Sequence, residues 1–183
     1  MVTQIKWFER KFNFDYPIGI FPCIIERLRG TPARLEELIS SLPAKVLTIR
    51  VNDGWSIQEH VGHLGDLETL HDGRIDDFLA NAKVLRAADL TNRKTREADH
   101  NRQPIKKLLD SFRDLRENFV KRLEELDEEI VSRSALHPRL KQPMRVIDMA
   151  FFTAEHDDHH VAKMVAIKMG NFNSILGFKL SFV

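Results

Sequence analysis

The chain has 183 residues, of which 43% are hydrophobic and 30% charged, and 28 basic against 27 acidic side chains leave a formal net charge of +1. That length suits a single domain, residues 1–183, with a sizeable core. The even charge, with no block of one sign, points away from nucleic acid and from an anionic membrane surface, and no apolar run reaches the ~18 residues of a membrane span.

In chain order, the N-terminus (MVTQIKWFERKF) carries charges where a signal peptide needs an apolar run, so a cytoplasmic protein is expected. Trp7, Phe8, Phe12 and Phe14 are expected to pack on the chain's own bundle, with a homodimer contact as the alternative. A first helix is predicted from about Tyr16 to Arg29, ended by Gly30. Within it lies Cys23, the only cysteine, which excludes an intramolecular disulfide and a multi-thiolate metal site. Beside Ile24 and Ile25 it reads as a buried small hydrophobe. Thr31-Pro32 reads as an N-cap with proline at the first helical position, and a short helix runs to Ser41. Val46 to Val51 reads as an extended connector.

The second main helix has the sharpest start. Ser56 and Glu59 form a capping-box pattern, and Ile57, Val61, Leu64, Ile75, Phe78 and Leu79 mark an apolar stripe reaching about Ala80. Residues 81–103 are polar and mixed, a long connection with a turn of helix at most; a connection of that length is often functional. From Pro104, apolar residues at a spacing of three and four (Leu108, Phe112, Leu115, Phe119, Leu123) predict a third helix with one buried face. His137-Pro138 opens a loop to Pro143. The last helix, about Arg145 to Met169, is apolar on nearly every face and therefore buried, with Gly170 placed as its C-terminal cap and an apolar tail beyond. Four main helices and no convincing sheet give an all-α four-helix bundle.

The chemistry concentrates in Glu155-His156-Asp157-Asp158-His159-His160. His156 and His160 lie one turn apart on the same helix face, where two imidazoles reach one metal ion. A third ligand must come from another helix, and the second main helix offers His60, His63 and His71. The apolar stripe alone does not choose among them: His60 and His71 sit near its middle and His63 at its edge. His156-Asp157-x-x-His160 is also close to the zincin H-E-x-x-H, but the aspartate is one methylene shorter than the glutamate that serves there as base, and a zincin helix needs a sheet beside it.

These segments resemble a known family. Trp55-Ser56-Ile57-Gln58-Glu59-His60-Val61-Gly62-His63-Leu64 resembles the W-S/T-x(6)-H-L signature of the DinB/YfiT-like superfamily, and His156 to His160 resembles its last-helix H-x-x-x-H. Ala88-Asp89-Leu90-Thr91-Asn92 and His137-Pro138-Arg139-Leu140 are similar to stretches of a DinB-like subgroup, and the likeness runs from about residue 18 to 170. The resemblance implies a four-helix bundle holding one divalent metal, nickel or zinc, on His63, His156 and His160, with His60 and His159 as neighbours of ligands. It further implies a metal-dependent enzyme that activates a thiol or water for S-transfer or hydrolysis on a small molecule, with a low-molecular-weight thiol as candidate partner. Three histidines with an open position is the catalytic pattern of coordination, since structural zinc sites close with a fourth protein ligand. Asp66, Glu68, Asp157 and Asp158 are candidates to orient the imidazoles, with an ordinary surface position as the alternative for each. The competing reading of the whole is a non-catalytic binding or stress-related bundle with a structural or vestigial metal.

Overall fold

The structure is a computed structural model and describes residues 2–51 and 54–175, the last five by backbone alone. Eight helices and one hairpin follow in the order α1 (Phe21–Arg29), α2 (Thr31–Ser40), α3 (Ala44–Leu47), α4 (Ile57–Leu79), α5 (Arg93–Glu97), α6 (Ile105–Glu124), α7 (Glu128–Ser132), β1 (Ser134–Leu136), β2 (Pro143–Arg145) and α8 (Val146–Ile175). The four main helices α1, α4, α6 and α8 form the bundle expected from the sequence. α1 and α4 each pack against both α6 and α8, so the diagonal pairs are α1 with α4 and α6 with α8. A chain that crosses a bundle diagonally needs a long connection, and α2–α3 and α7 with the hairpin supply the two crossings.

Several boundaries differ from expectation, each for a local reason. α1 begins at Phe21 rather than near Tyr16, because Pro17 is extended and a single 3₁₀ turn over Ile18–Ile20 precedes the helix. Gly30 keeps a right-handed conformation (φ −75°) and is itself the cap of α2, so Thr31 is the first helical residue. Its hydroxyl is then free to donate to Asp157 Oδ2 at 3.0 Å. Pro43, extended, starts the short helix α3 where a connector was expected. Asp127 caps α7, which the sequence reading did not include. The hairpin was also not foreseen. It pairs Ser134 with Arg145, Ala135 with Met144 and Leu136 with Pro143, and is too short to show a strand period. α8 runs through Gly170, which takes no left-handed turn, to Ile175. The expected packing of the apolar tail after it lies outside the described side chains. Cys23 is exposed rather than buried: Phe21, Ile24, Ile25 and Leu28 take the inner face of α1 and turn position 23 outward. Trp7, Phe12 and Phe14 pack on the bundle, while Phe8 remains 60% exposed. Among the described residues no helix is long and apolar enough to cross a membrane.

The core divides in two. One apolar cluster joins α1, the end of α4, the second half of α6, the hairpin and the start of α8. The other joins α2, α3, the start of α4, the start of α6 and Met164. Buried polar side chains lie at intermediate positions on the same helices. They include Glu68 on α4, Arg116 on α6, and Asp157 with the histidines on α8.

Candidate metal centre

The first two turns of α4 are positioned by its cap. Ser56 Oγ accepts from the backbone N–H of Glu59 at 3.1 Å, and the Glu59 carboxylate accepts from the Ser56 N–H at 2.8 Å, so both halves of the capping box are made. This fixes where the helix starts and turns His60 and His63 toward α8. From α8, His156 and His160 answer. One nitrogen from each of His63, His156 and His160 lies within 4.8 Å of the others. His156 Nε2 and His160 Nε2 are 3.1 Å apart, and all three rings are buried.

Hydrogen bonds behind two of the rings determine which nitrogen faces the cluster. Thr95, from α5, donates its hydroxyl proton to Asp66 Oδ2 at 2.9 Å, because a carboxylate only accepts. Its oxygen therefore accepts from His63 Nδ1, 3.0 Å away. That puts the His63 proton on Nδ1 and leaves the Nε2 lone pair for the cluster. His100 Nε2 reaches the same Asp66 oxygen at 2.9 Å and completes a relay His63–Thr95–Asp66–His100. Behind His160, its Nδ1 lies 2.8 Å from His60 Nδ1. One of these two Nδ1 atoms donates to the other, and His160 Nε2 faces His156. His156 Nδ1 is buried without a partner among the described residues. Its ring is held instead by the edge of Trp7, 4.9 Å between centroids. Trp55 packs on His63 at 4.5 Å and on His160 at 6.0 Å.

Burial pushes His60, His63, His156 and His160 toward the neutral form. His63 falls to about 4, against the opposing pull of the Asp66 charge, and His60 to about 3. His156 and His160 lie well below the usual range, driven first by burial and then by the neighbouring histidines. Neutral imidazoles with converging lone pairs are the form that binds a cation, so the donor set fits a divalent transition metal.

The remaining candidates fall elsewhere. His71 is buried beside Thr153 Oγ1 at 3.4 Å, outside the cluster. His159 lines the same cavity but is not part of the cluster, and its Nδ1 lies 3.1 Å from Gln4 Nε2. Of the four carboxylates considered as orienting groups, Asp66 alone reaches a clustered ring, through Thr95. Glu68 and Asp157 both pair with the buried Arg116, and Asp158 pairs with Arg27 and Arg34. These are ion pairs, not free surface positions. Asp157, committed to Arg116 and Thr31, also cannot serve as the base of a zincin-like motif. Thr95, His100 and Gln4 were not picked out from the sequence, and Trp7 was expected to pack on the bundle but not against a ligand ring. Thr95 and His100 lie in the polar 81–103 connection, where no periodicity distinguishes one residue from the next.

The cluster forms part of the wall of a cavity of about 1200 Å³, closed on other sides by the N-terminal segment, residues 87–90 of the long connection, and the hairpin loop.

The comparisons agree with this architecture. The model of the DinB superfamily matches residues 27–164. YfiT from Bacillus subtilis, described as "a probable metal-dependent hydrolase with an unusual four-helix bundle topology", superposes with a TM-score of 0.77 at 20% identity, over 88% of this chain and 94% of that one. A mycothiol-dependent maleylpyruvate isomerase superposes with a TM-score of 0.58 at 14% identity, over 82% of this chain but only 61% of that one. At these identities the two likenesses speak to the fold. No curated protein sequence matches the chain. With the family model covering well over half of its residues, the chain belongs to the DinB superfamily.

Proposed function

We propose that the protein is a metal-dependent enzyme in which His63, His156 and His160 hold one divalent transition metal, nickel or zinc, for thiol transfer or hydrolysis on a small molecule. One observation carries this reading: three neutral imidazoles, and among the described residues no fourth ligand, converge on the wall of a cavity large enough for a substrate. A divalent metal in such an open site supplies Lewis acidity toward a thiol or a water molecule.

The chain's own residues do the rest. Thr95 and Asp66 hold the His63 ring and its tautomer, and His60 holds the His160 ring through their Nδ1 atoms. Trp55 and Trp7 cover the rings and keep bulk water from them. Among the described residues no carboxylate joins the cluster, so a thiol, which needs less help to lose its proton than water does, suits the site better than a hydrolytic water that needs a general base.

Elemental analysis of purified, tag-free protein beside a His156→Ala/His160→Ala variant tests the reading. About one equivalent of metal in the first and none in the second is expected, and justifies a screen of thiol-transfer and hydrolase substrates. Protein that arrives empty and takes up no added nickel or zinc overturns it. The alternative, a non-catalytic bundle with a structural or vestigial metal, is favoured by a large loss of stability on chelation with no solvent-exchangeable metal position.

A further inference from the structure

On the wall of the same cavity lie three hydrogen-bond donors, Arg74, His137 and Arg139, that among the described residues pair with no carboxylate. Arg74, on α4, is 2% exposed and lines the cavity. Its Nε and Nη2 donate to the backbone oxygen of Arg86 at 3.3 and 3.2 Å. Its nearest carboxylate charge, Asp77, is held in a two-pronged pair by Arg86. No described carboxylate forms an ion pair with Arg74 or with Arg139, whose Nη2 is buried and unpartnered. Arg139 comes from the hairpin loop, its guanidinium lying over the rings of Phe8 at 5.3 Å and Phe152 at 5.6 Å. The third donor is His137, 2% exposed. Its Nδ1 accepts from the backbone N–H groups of Arg139 and Leu140 at 3.3 and 3.1 Å, so its proton sits on Nε2. That Nε2–H is buried and also unpartnered.

Arg116 shows what this protein does with a buried guanidinium that is purely structural: it surrounds it with Glu68 and Asp157. Arg74 and Arg139 receive no such partner and lie close enough to oppose each other's charge. Burial, with Arg139 adding to it, brings Arg74 down to about 10, which still leaves it charged at neutral pH. The buried Arg74, the half-buried Arg139 and an N–H donor line one cavity, and among the described residues no anionic oxygen group pairs with them. We propose that Arg74, Arg139 and the Nε2–H of His137 form an oxyanion subsite that takes the carboxylate of an anionic substrate or co-substrate.

This rests on the reading of the cavity as a substrate site and deepens it by naming the substrate class. Phe152 touches both Arg139 and His137 and stands four residues before His156 on α8, about 6 Å along the helix axis. Phe152, which contacts two of the three donors, thus stands about one helical turn from His156. A small molecule that spans the subsite and the histidine cluster carries its carboxylate a few bonds from the group that reacts. Phe8, Phe152 and Leu70 make the space between apolar.

Binding of hexanoate, followed by protein NMR or calorimetry on chelator-stripped protein, tests the assignment. Hexan-1-ol and hexyl phosphate are the comparison probes. Hexanoate is expected to bind the stripped wild type and the His156→Ala/His160→Ala variant alike. Arg139→Gln is expected to weaken it about tenfold or more, and hexan-1-ol to bind at least about tenfold more weakly than hexanoate, as for loss of a charged hydrogen bond. Arg139 sits on a loop and is the deciding variant, because Arg74→Gln disturbs a helix core; far-UV circular dichroism checks the fold of each. Equal binding of hexanoate and hexan-1-ol, or unchanged binding by Arg139→Gln, overturns the subsite. Tighter binding of hexyl phosphate than of hexanoate overturns the carboxylate assignment in favour of a phosphate. Hexanoate binding that needs the metal and survives Arg139→Gln places the carboxylate on the metal, which overturns the subsite and leaves the metalloenzyme reading intact. Hexanoate binding lost with Arg139→Gln, in a protein that takes up no metal, does the reverse.

Discussion

His156 and Asp157 are consecutive on α8 and both buried, at 7% and 1% exposure, yet their surroundings are opposite. The acidic side of that turn is satisfied by the protein. Asp157 meets Arg116 and Thr31, Glu155 meets Arg10 and Arg27, and Asp158 meets Arg27 and Arg34. The imidazole side is left incomplete: His156 Nδ1 has no partner, and the lone pairs of its neighbours converge on each other. The same contrast recurs between Arg116, doubly paired, and Arg74 and Arg139, paired with no carboxylate. Charge and burial alone therefore do not mark a functional group in this protein. What the candidate sites share is buried polar atoms with no partner among the described residues, and an unmet polar group costs stability that a bound ligand can return.

The largest effect expected from this comparison lies on the satisfied side. Arg116→Ala leaves Glu68 and Asp157 as uncompensated buried carboxylates and should cost about 3–5 kcal/mol in urea unfolding. A loss under about 1 kcal/mol would show that water relieves both charges and that the network is not the internal counterpart of the open site.

Next comes the relay behind His63. Thr95→Val removes the acceptor that fixes the His63 tautomer and should weaken metal retention roughly 10- to 100-fold in a chelator competition, with Thr95→Ser restoring it. Stability of the metal-free protein should change much less. Equal metal retention in Thr95→Val and wild type would mean that packing against Trp55, not the relay, positions the ring.

A pH series sharpens the contrast from the other direction. His137 falls to about 3 in the folded state, chiefly through burial, with the charges of Arg74 and Arg139 adding to it. Its folded pKa thus lies below the unfolded value near 6.5. The unfolded chain binds the proton first, so stability is fully present above about pH 6.5 and is lost as pH falls below it, by about 2 kcal/mol at pH 5 for this one histidine. His137→Gln should flatten that slope in metal-free protein unfolded by urea at pH 7 and pH 5. An unchanged slope would assign the acid sensitivity to His60, His63 and their neighbours instead.

The smallest effect belongs to Cys23. Exposed on the outer face of α1, it should react at once with a thiol reagent in the native state, and Cys23→Ser should alter stability by less than about 0.5 kcal/mol. Slow labelling that needs unfolding would return it to the core position expected from Ile24 and Ile25.

Read alone, the sequence determined what depends on neighbours along the chain. The capping box at Ser56 and Glu59 specified the start of α4, because its two hydrogen bonds join residues three apart. Helical spacing put His156 and His160 on one face, and the apolar stripes marked the main helices. These signals are local and repeat within a turn or two, so they survive without a third dimension. Tertiary structure decided everything that depended on which helices meet. The apolar stripe sets His60 and His71 near its middle and His63 at its edge, and only the family signature pointed to His63; the crossing of α4 with α8 brings His63 to His156 and His160 while leaving His60 behind His160. Thr95 became the partner of His63 because a connection without periodicity folded back against α4. The four candidate carboxylates were sorted by where Arg27, Arg34 and Arg116 arrived from other helices. Arg74, Arg139 and His137 came to face one cavity by the same route. A missing partner is a property of the surrounding space, and no residue's position along the chain records it.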